Sequence, residues 1–149
     1  MNHSLITKIS NTQLINQLVF FDEEKKFFLM QYIPEDAKEK KRVDEVLIIY
    51  TDLVEKIISE NNEDSFNSMV LIGSQVTLQY TDDGFEEMYT IVFPHRADPS
   101  KNWISFLSPM GLQLLMTRIN ESYEFKVPSG HIGVRIQGIK YMNCGDIDK

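Results

Sequence analysis

Val70-Leu71-Ile72-Gly73-Ser74-Gln75-Val76-Thr77-Leu78-Gln79-Tyr80 is the stretch on which the fold turns. Val70, Ile72, Val76, Leu78 and Tyr80 hold alternate places along it, apart from a slip at Gly73-Ser74. Alternation at period two marks a strand with one buried face, and the slip predicts a β-bulge. Thr81-Asp82-Asp83-Gly84 follows as a hairpin turn, with Gly84 available for a positive φ. Residues 88–93 are then the return strand.

Further on, residues 94–102 form a polar loop and residues 103–107 a short strand. Ser108-Pro109 places a helix N-cap ahead of a proline at the first helical position, so a helix is predicted over residues 110–116. Residues 123–127, the turn Pro128-Ser129-Gly130 and residues 134–142 form a closing hairpin, and the chain beyond Asn143 reads as a frayed tail. Strands with one inserted helix make an α+β sheet domain.

Upstream the period changes. Val43, Val46/Leu47, Tyr50, Leu53/Val54 and Ile57/Ile58 recur at steps of three and four, one continuous stripe on a helix over residues 36–59, ~36 Å long. Pro34 suits the start of that helix, and Glu35 and Asp36 face the positive end of its dipole. Leu14, Leu18, Phe21, Phe28 and Tyr32 mark a second amphipathic helix over residues 11–32, with Asn11 or Thr12 as cap and Lys25 in the gap. So short a turn between them requires an antiparallel helical hairpin. Asn61-Asn62-Glu63-Asp64-Ser65 lacks periodicity and reads as a linker. The predicted domains are residues 1–68, hairpin and linker, and residues 69–149, the sheet domain.

Composition excludes several function classes. The net charge of −7 works against free nucleic acid as main partner, since phosphate binding needs clustered Lys and Arg. Lys38, Lys40, Lys41 and Arg42 are interleaved with acids and read as a solvated helix face. The lone Cys144 fits a reducing compartment and provides no zinc set. No apolar run approaches the ~20 residues of a membrane span, and the first residues do not resemble an export signal. The expected location is therefore cytoplasmic.

His3, His95 and His131 are far apart in sequence, and the glycines are scattered as turn residues rather than gathered in a phosphate loop. Asp82-Asp83 and Glu86-Glu87 straddle a turn and read as solvated carboxylates, not metal ligands. Phe20, Phe21, Phe27 and Phe28 read as hairpin core. No catalytic residue, metal site or cofactor is expected.

The ordered set of downstream signals resembles the bacterial Gre/Rnk family of RNA-polymerase-binding factors. It comprises Ile72-Gly73-Ser74 through Val76-Thr77-Leu78, then Tyr89-Thr90-Ile91-Val92, Ala97-Asp98, Ile104-Ser105, Ser108-Pro109-Met110-Gly111 with Leu114-Leu115, Val127-Pro128-Ser129-Gly130, and Ile136, Ile139 and Tyr141. These span residues 69–142. Val92-Phe93-Pro94 and the compact length look closer to Rnk, the regulator of nucleoside diphosphate kinase, than to the cleavage factors.

The resemblance implies an FKBP-like antiparallel β-sheet domain with one short helix, behind a short coiled-coil hairpin. It also implies docking on bacterial RNA polymerase near the secondary channel, through Ser105, Leu107, Ser108, Pro109 and Met110. Leu107 stands where the cleavage factors often carry an acidic or polar residue. Their acidic tip motif, which holds a catalytic magnesium, is replaced here by Tyr32-Ile33-Pro34-Glu35-Asp36-Ala37. The hairpin is about twenty residues short in this comparison, so its tip would stop ~15 Å sooner.

The resulting expectation is a transcription elongation regulator, not an enzyme, that binds polymerase without stimulating transcript cleavage. The alternatives are a true cleavage factor with Glu35 and Asp36 as tip acids, and an FKBP-like prolyl isomerase. A homodimer through the apolar stripe of the hairpin also stays open.

Overall fold

A computed structural model describes residues 3–142 and residue 144. The tail expected beyond Asn143 thus lies, Cys144 apart, outside the described residues. The chain divides into two compact units, Met1–Asn61 and Asn62–Lys149.

The first unit is a pair of helices, α1 (His3–Tyr32) and α2 (Ala37–Glu60). Val43, Leu47, Tyr50, Val54 and Ile57 are buried along α2 at alternating steps of four and three, the spacing of a coiled-coil seam. Leu14, Gln17, Phe21 and Phe28 face them from α1 at steps of three, four and seven. Lys25 falls where the seam skips a turn, and its ammonium reaches Asp44 at 2.6 Å. Both ends of that bridge are partly exposed, so its contribution is small.

Gln17 is a polar residue in an apolar seam, with no exposed surface. The Tyr50 hydroxyl donates to its Oε1 at 2.7 Å, and the Phe21 ring meets the Tyr50 ring edge-on at 6.3 Å. Tyr50→Phe removes a donor inside a dry seam and is expected to cost about 2 kcal/mol. Adding Gln17→Leu replaces the polar side chain of the seam with an apolar one and is expected to recover part of that loss. Urea unfolding of the two variants checks this; a double variant no more stable than the single one contradicts it.

Two boundaries differ from the sequence expectation. Helix α1 starts at His3, not near Asn11, and the Thr12 hydroxyl donates to the Lys8 carbonyl inside it (2.9 Å). Asn11 therefore caps nothing; its side-chain amide reaches the Asn61 side chain, which closes the open end of the hairpin. Helix α2 starts at Ala37 with Asp36 as N-cap, so Pro34 lies in the turn and not in the first helical turn. Phe27, expected in the core, is 74% exposed because it points away from the seam.

The second unit begins earlier than residue 69. Asn62 caps a one-turn helix α3 (Glu63–Phe66) by accepting from the Ser65 amide, and Phe66 is buried. Five strands follow: β1 (Ser74–Tyr80), β2 (Glu86–Val92), β3 (Trp103–Ser105), β4 (Ser122–Val127) and β5 (Gly130–Tyr141). Their order in the sheet is β3-β2-β1-β5-β4. The β1–β2, β1–β5 and β4–β5 pairs are antiparallel, as expected, while β3 lies parallel to β2, so the sheet is mixed. Two 3-10 turns, Pro94–Arg96 and Pro99–Lys101, carry the chain back so that β3 starts beside Thr90 and runs the same way.

The opening stretch behaves differently on either side of Gly73. Met69 to Ile72 are all buried and do not belong to β1; Val70 exchanges backbone bonds with Thr117 and Met116 instead. Gly73 has φ +110°, and its amide and carbonyl bond to Ile91 and Met142. The slip is thus a kink ahead of the strand, and the bulge proper falls at Thr77/Leu78 against β5. Gly84 has φ +77° in the turn, as its position predicted.

Helix α4 (Pro109–Leu114) is shorter than predicted, because Met116 turns left-handed (φ +71°) to pair with Val70. Val76, Leu78, Ile91, Phe106, Leu112, Leu114, Phe125, Val134 and Ile136 form the buried core of this unit.

Candidate functional site

The segment from Ser105 to Gly111 is a turn held almost wholly by its own backbone and two serines. The Ser105 carbonyl accepts from the Ser108 amide (3.0 Å) and from the Ser108 hydroxyl (2.7 Å). The Ser105 hydroxyl accepts from the Leu107 amide at 2.9 Å. The Ser108 oxygen also accepts from the Gly111 amide at 3.1 Å, which caps α4. The hydroxyl of Ser108 is therefore engaged on both sides, and its work is to shape the turn.

Of the five predicted contact residues, Pro109 is exposed, and Ser105, Leu107, Ser108 and Met110 are half-buried. The structure brings all five together on one turn. Gly111 stands in the motif with no local reason, and Gln113 carries no sequence signal. A Cβ on Gly111 would lie 2.0 Å from the Ser105 carbonyl oxygen, so only glycine allows α4 to approach β3 this closely. Gln113 exchanges hydrogen bonds with the backbone of Lys126, at 2.9 Å and 2.8 Å, and so ties α4 to the edge strand β4. Nothing local in the sequence announces a glutamine clamp.

Beside this turn, Trp103 on β3 lies within reach of two cations. The Arg96 guanidinium is 5.6 Å and the Lys101 ammonium 4.9 Å from the indole centre. Asp98, between them in sequence, accepts from the amide (3.0 Å) and hydroxyl (2.7 Å) of Ser100. Those bonds hold its carboxyl below the usual carboxylate value.

Glu87, read from sequence as solvated, is half-buried. One of its oxygens accepts from the hydroxyls of both Tyr80 and Tyr89. It shares the core side of the sheet with Leu78, its cross-strand neighbour. Burial, followed by the bond to Glu87, pushes both tyrosine hydroxyls above their ordinary pKa. Asp83 accepts from the Phe85 amide and serves the turn.

At the hairpin tip Asp36 accepts from the Glu39 amide at 2.9 Å, and Glu35 is exposed. Glu39 in turn holds Arg42 by two bonds, 3.0 Å and 2.9 Å, which raise the guanidinium pKa. Among the described residues no group of three or more His, Cys, Asp or Glu side chains could hold a metal ion. No described helix is long and apolar enough to cross a membrane.

The second unit is an α+β sheet domain whose Ser-Pro helix start lies beside the edge strand β3, and sequence comparison specifies its family. The family model for transcription elongation factors GreA/GreB, carboxy-terminal domain, matches residues 65–141, and the chain belongs to that family. It is 39% identical over 72 residues to transcription elongation factor GreA of Desulfovibrio desulfuricans, which covers 48% of this chain and 44% of that one. It is 39% identical over 84 residues to GreA of Bacillus cereus, with coverage of 56% and 52%. The chain spans about half the length of these curated relatives. Among solved structures, a GreA/GreB factor from Nitrosomonas europaea has TM-score 0.47 at 25% identity, over 59% of this chain and 79% of its own. Gfh1 of Thermus aquaticus has TM-score 0.47 at 23% identity, over 89% and 95%.

Proposed function

We propose that this chain is a cytoplasmic regulator of transcription elongation that binds RNA polymerase near the secondary channel and does not stimulate transcript cleavage. The docking half of this reading is carried by the Ser105–Gly111 turn, which lies inside the family-matched region. Pro109 and Met110 make the contact, with Leu107 beside them, and Ser105 and Ser108 hold the turn in shape. The fragment 62–149, one of the two compact units, is expected to retain binding.

The absence of cleavage rests on the hairpin tip. Metal-assisted phosphoryl transfer depends on acids held at a fixed place. The tip offers Glu35 and Asp36, and an oxygen of Asp36 is already used to cap α2. Helix α2 has 24 residues, a reach of about 36 Å. On this reading the protein adds no chemistry of its own.

The test is a pull-down with purified core polymerase, followed by a cleavage assay on backtracked complexes. Wild type is expected to bind without cleavage, and Glu35→Ala/Asp36→Ala to behave the same, with only about 1 kcal/mol lost from the missing cap. Robust cleavage abolished by these changes would replace this reading with that of a true cleavage factor. The family match lends no support to the prolyl-isomerase alternative. Ile15, Val19 and Ile48 stay about half exposed on the hairpin, and a homodimer through them would double the mass seen by light scattering.

A further inference from the structure

The chain carries a net charge of −7, yet one side of its sheet gathers positive charge. Register and alternation identify that side. Trp103 on β3 stands beside Thr90 on β2, Thr90 beside Gln75 on β1, and Gln75 beside Lys140 on β5. These four residues form one row across the side of the sheet opposite the core-facing Val76 and Leu78. Strand spacing sets Lys140 about 14 Å from Trp103. Lys101 and Lys140 are exposed, and Arg96 and Trp103 half-buried. The carboxylate nearest along β2 on this side, Glu86, is four residues from Thr90, about 13 Å away. Asp98, paired with Trp103 through two backbone bonds, offsets one of these charges, and its carboxylate is held by Ser100, so Arg96, Lys101 and Lys140 leave this side net positive.

This row borders the docking turn. Ser105 lies two residues beyond Trp103 on β3 and so shares its side of the strand. Both 3-10 turns and α4 pack on β3 as well.

We propose that Arg96 and Lys101, gathered at Trp103, together with Lys140 in the same row, form a second contact that takes a carboxylate-bearing protein segment of the same partner that binds the Ser105–Gly111 turn. The inference rests on the polymerase-binding reading and adds to it the chemistry of the surface that meets the sheet. Protein carboxylates suit the patch better than nucleic acid for two reasons. Two cations already lie over the indole, so it is not a bare stacking platform for bases. A strongly acidic chain also repels a long polyanion, whereas a few carboxylates respond mainly to the charges nearest them.

The experiment measures the affinity of the full chain for purified core polymerase at low and high salt. Wild type is compared with Arg96→Gln/Lys101→Gln/Lys140→Gln, and with Lys101→Glu/Lys140→Glu, which leaves Arg96 over the indole. Thermal unfolding confirms that both variants are folded. Each variant is expected to bind about tenfold more weakly at low salt and to approach wild type at high salt, because exposed interface charges act through screened attraction. Met110→Ala is expected to weaken binding equally at both salts. Folded variants that match wild type at both salts overturn the patch and leave the docking turn standing. No binding by wild type overturns both. A short single-stranded RNA held by wild type and lost by the variants overturns the protein partner in favour of nucleic acid.

Discussion

Gly111→Ala is expected to destabilise the second unit by about 3 kcal/mol and to abolish polymerase binding. The new methyl group would lie 2.0 Å from the Ser105 carbonyl oxygen and 2.9 Å from the Ser108 hydroxyl oxygen. That carbonyl cannot move aside, because the Ser108 amide and hydroxyl both hold it. Either the turn opens or α4 lifts from β3, and both displace Pro109 and Met110. Ser108→Ala supplies the comparison. It loses the cap and one bond to Ser105, about 1 kcal/mol, and leaves the close approach of helix and strand intact. Urea unfolding and a polymerase pull-down on both variants check the pair. A Gly111→Ala protein within 0.5 kcal/mol of wild type would show that the turn yields easily and is not what positions the contact.

Phe66→Ala is the second large effect, about 4 kcal/mol, from a buried aromatic removed and a cavity left behind. Phe27→Ala makes the same chemical change on the hairpin, at a side chain 74% exposed, and is expected to stay within about 0.5 kcal/mol. A loss at Phe66 as small as that at Phe27 would contradict the burial of Phe66, since residues 62–68 would then be linker after all. Unfolding curves of both variants decide it.

These two phenylalanines also show where the sequence was legible. Phe27 stands in an aromatic run on a helix, and Phe66 follows a polar stretch with no period. Local pattern therefore assigned the first to a core and left the second in a linker. Along α2 pattern and structure agree, with five buried residues from Val43 to Ile57 recurring at steps of three and four within a 24-residue helix. Along α1 apolar residues occur on several sides, and Ile15, Val19 and Phe27 remain exposed. Only a partner helix selects which of them are buried. Among the site residues, Ser108 and Pro109 were legible because capping is a local matter of hydroxyl, amide and fixed φ. Gly111 has no local reason in the motif, since its reason is a carbonyl on another element.

The sequence by itself determined the helical hairpin, the alternating strands, the Gly84 turn, the Ser-Pro helix start and, through their order, the family. Each follows from interactions within a few residues, so period and spacing record it. The tertiary structure alone decided that β3 runs parallel to β2 and that Glu87 is shared by two tyrosines. It also decided that Gln113 clamps Lys126, and that Arg96 and Lys101 converge on Trp103 across from Lys140. Those outcomes join residues on different elements, and sheet register and packing place them together. The Ser-Pro turn is therefore written in the chain, while the charged surface beside it exists only once the sheet has formed.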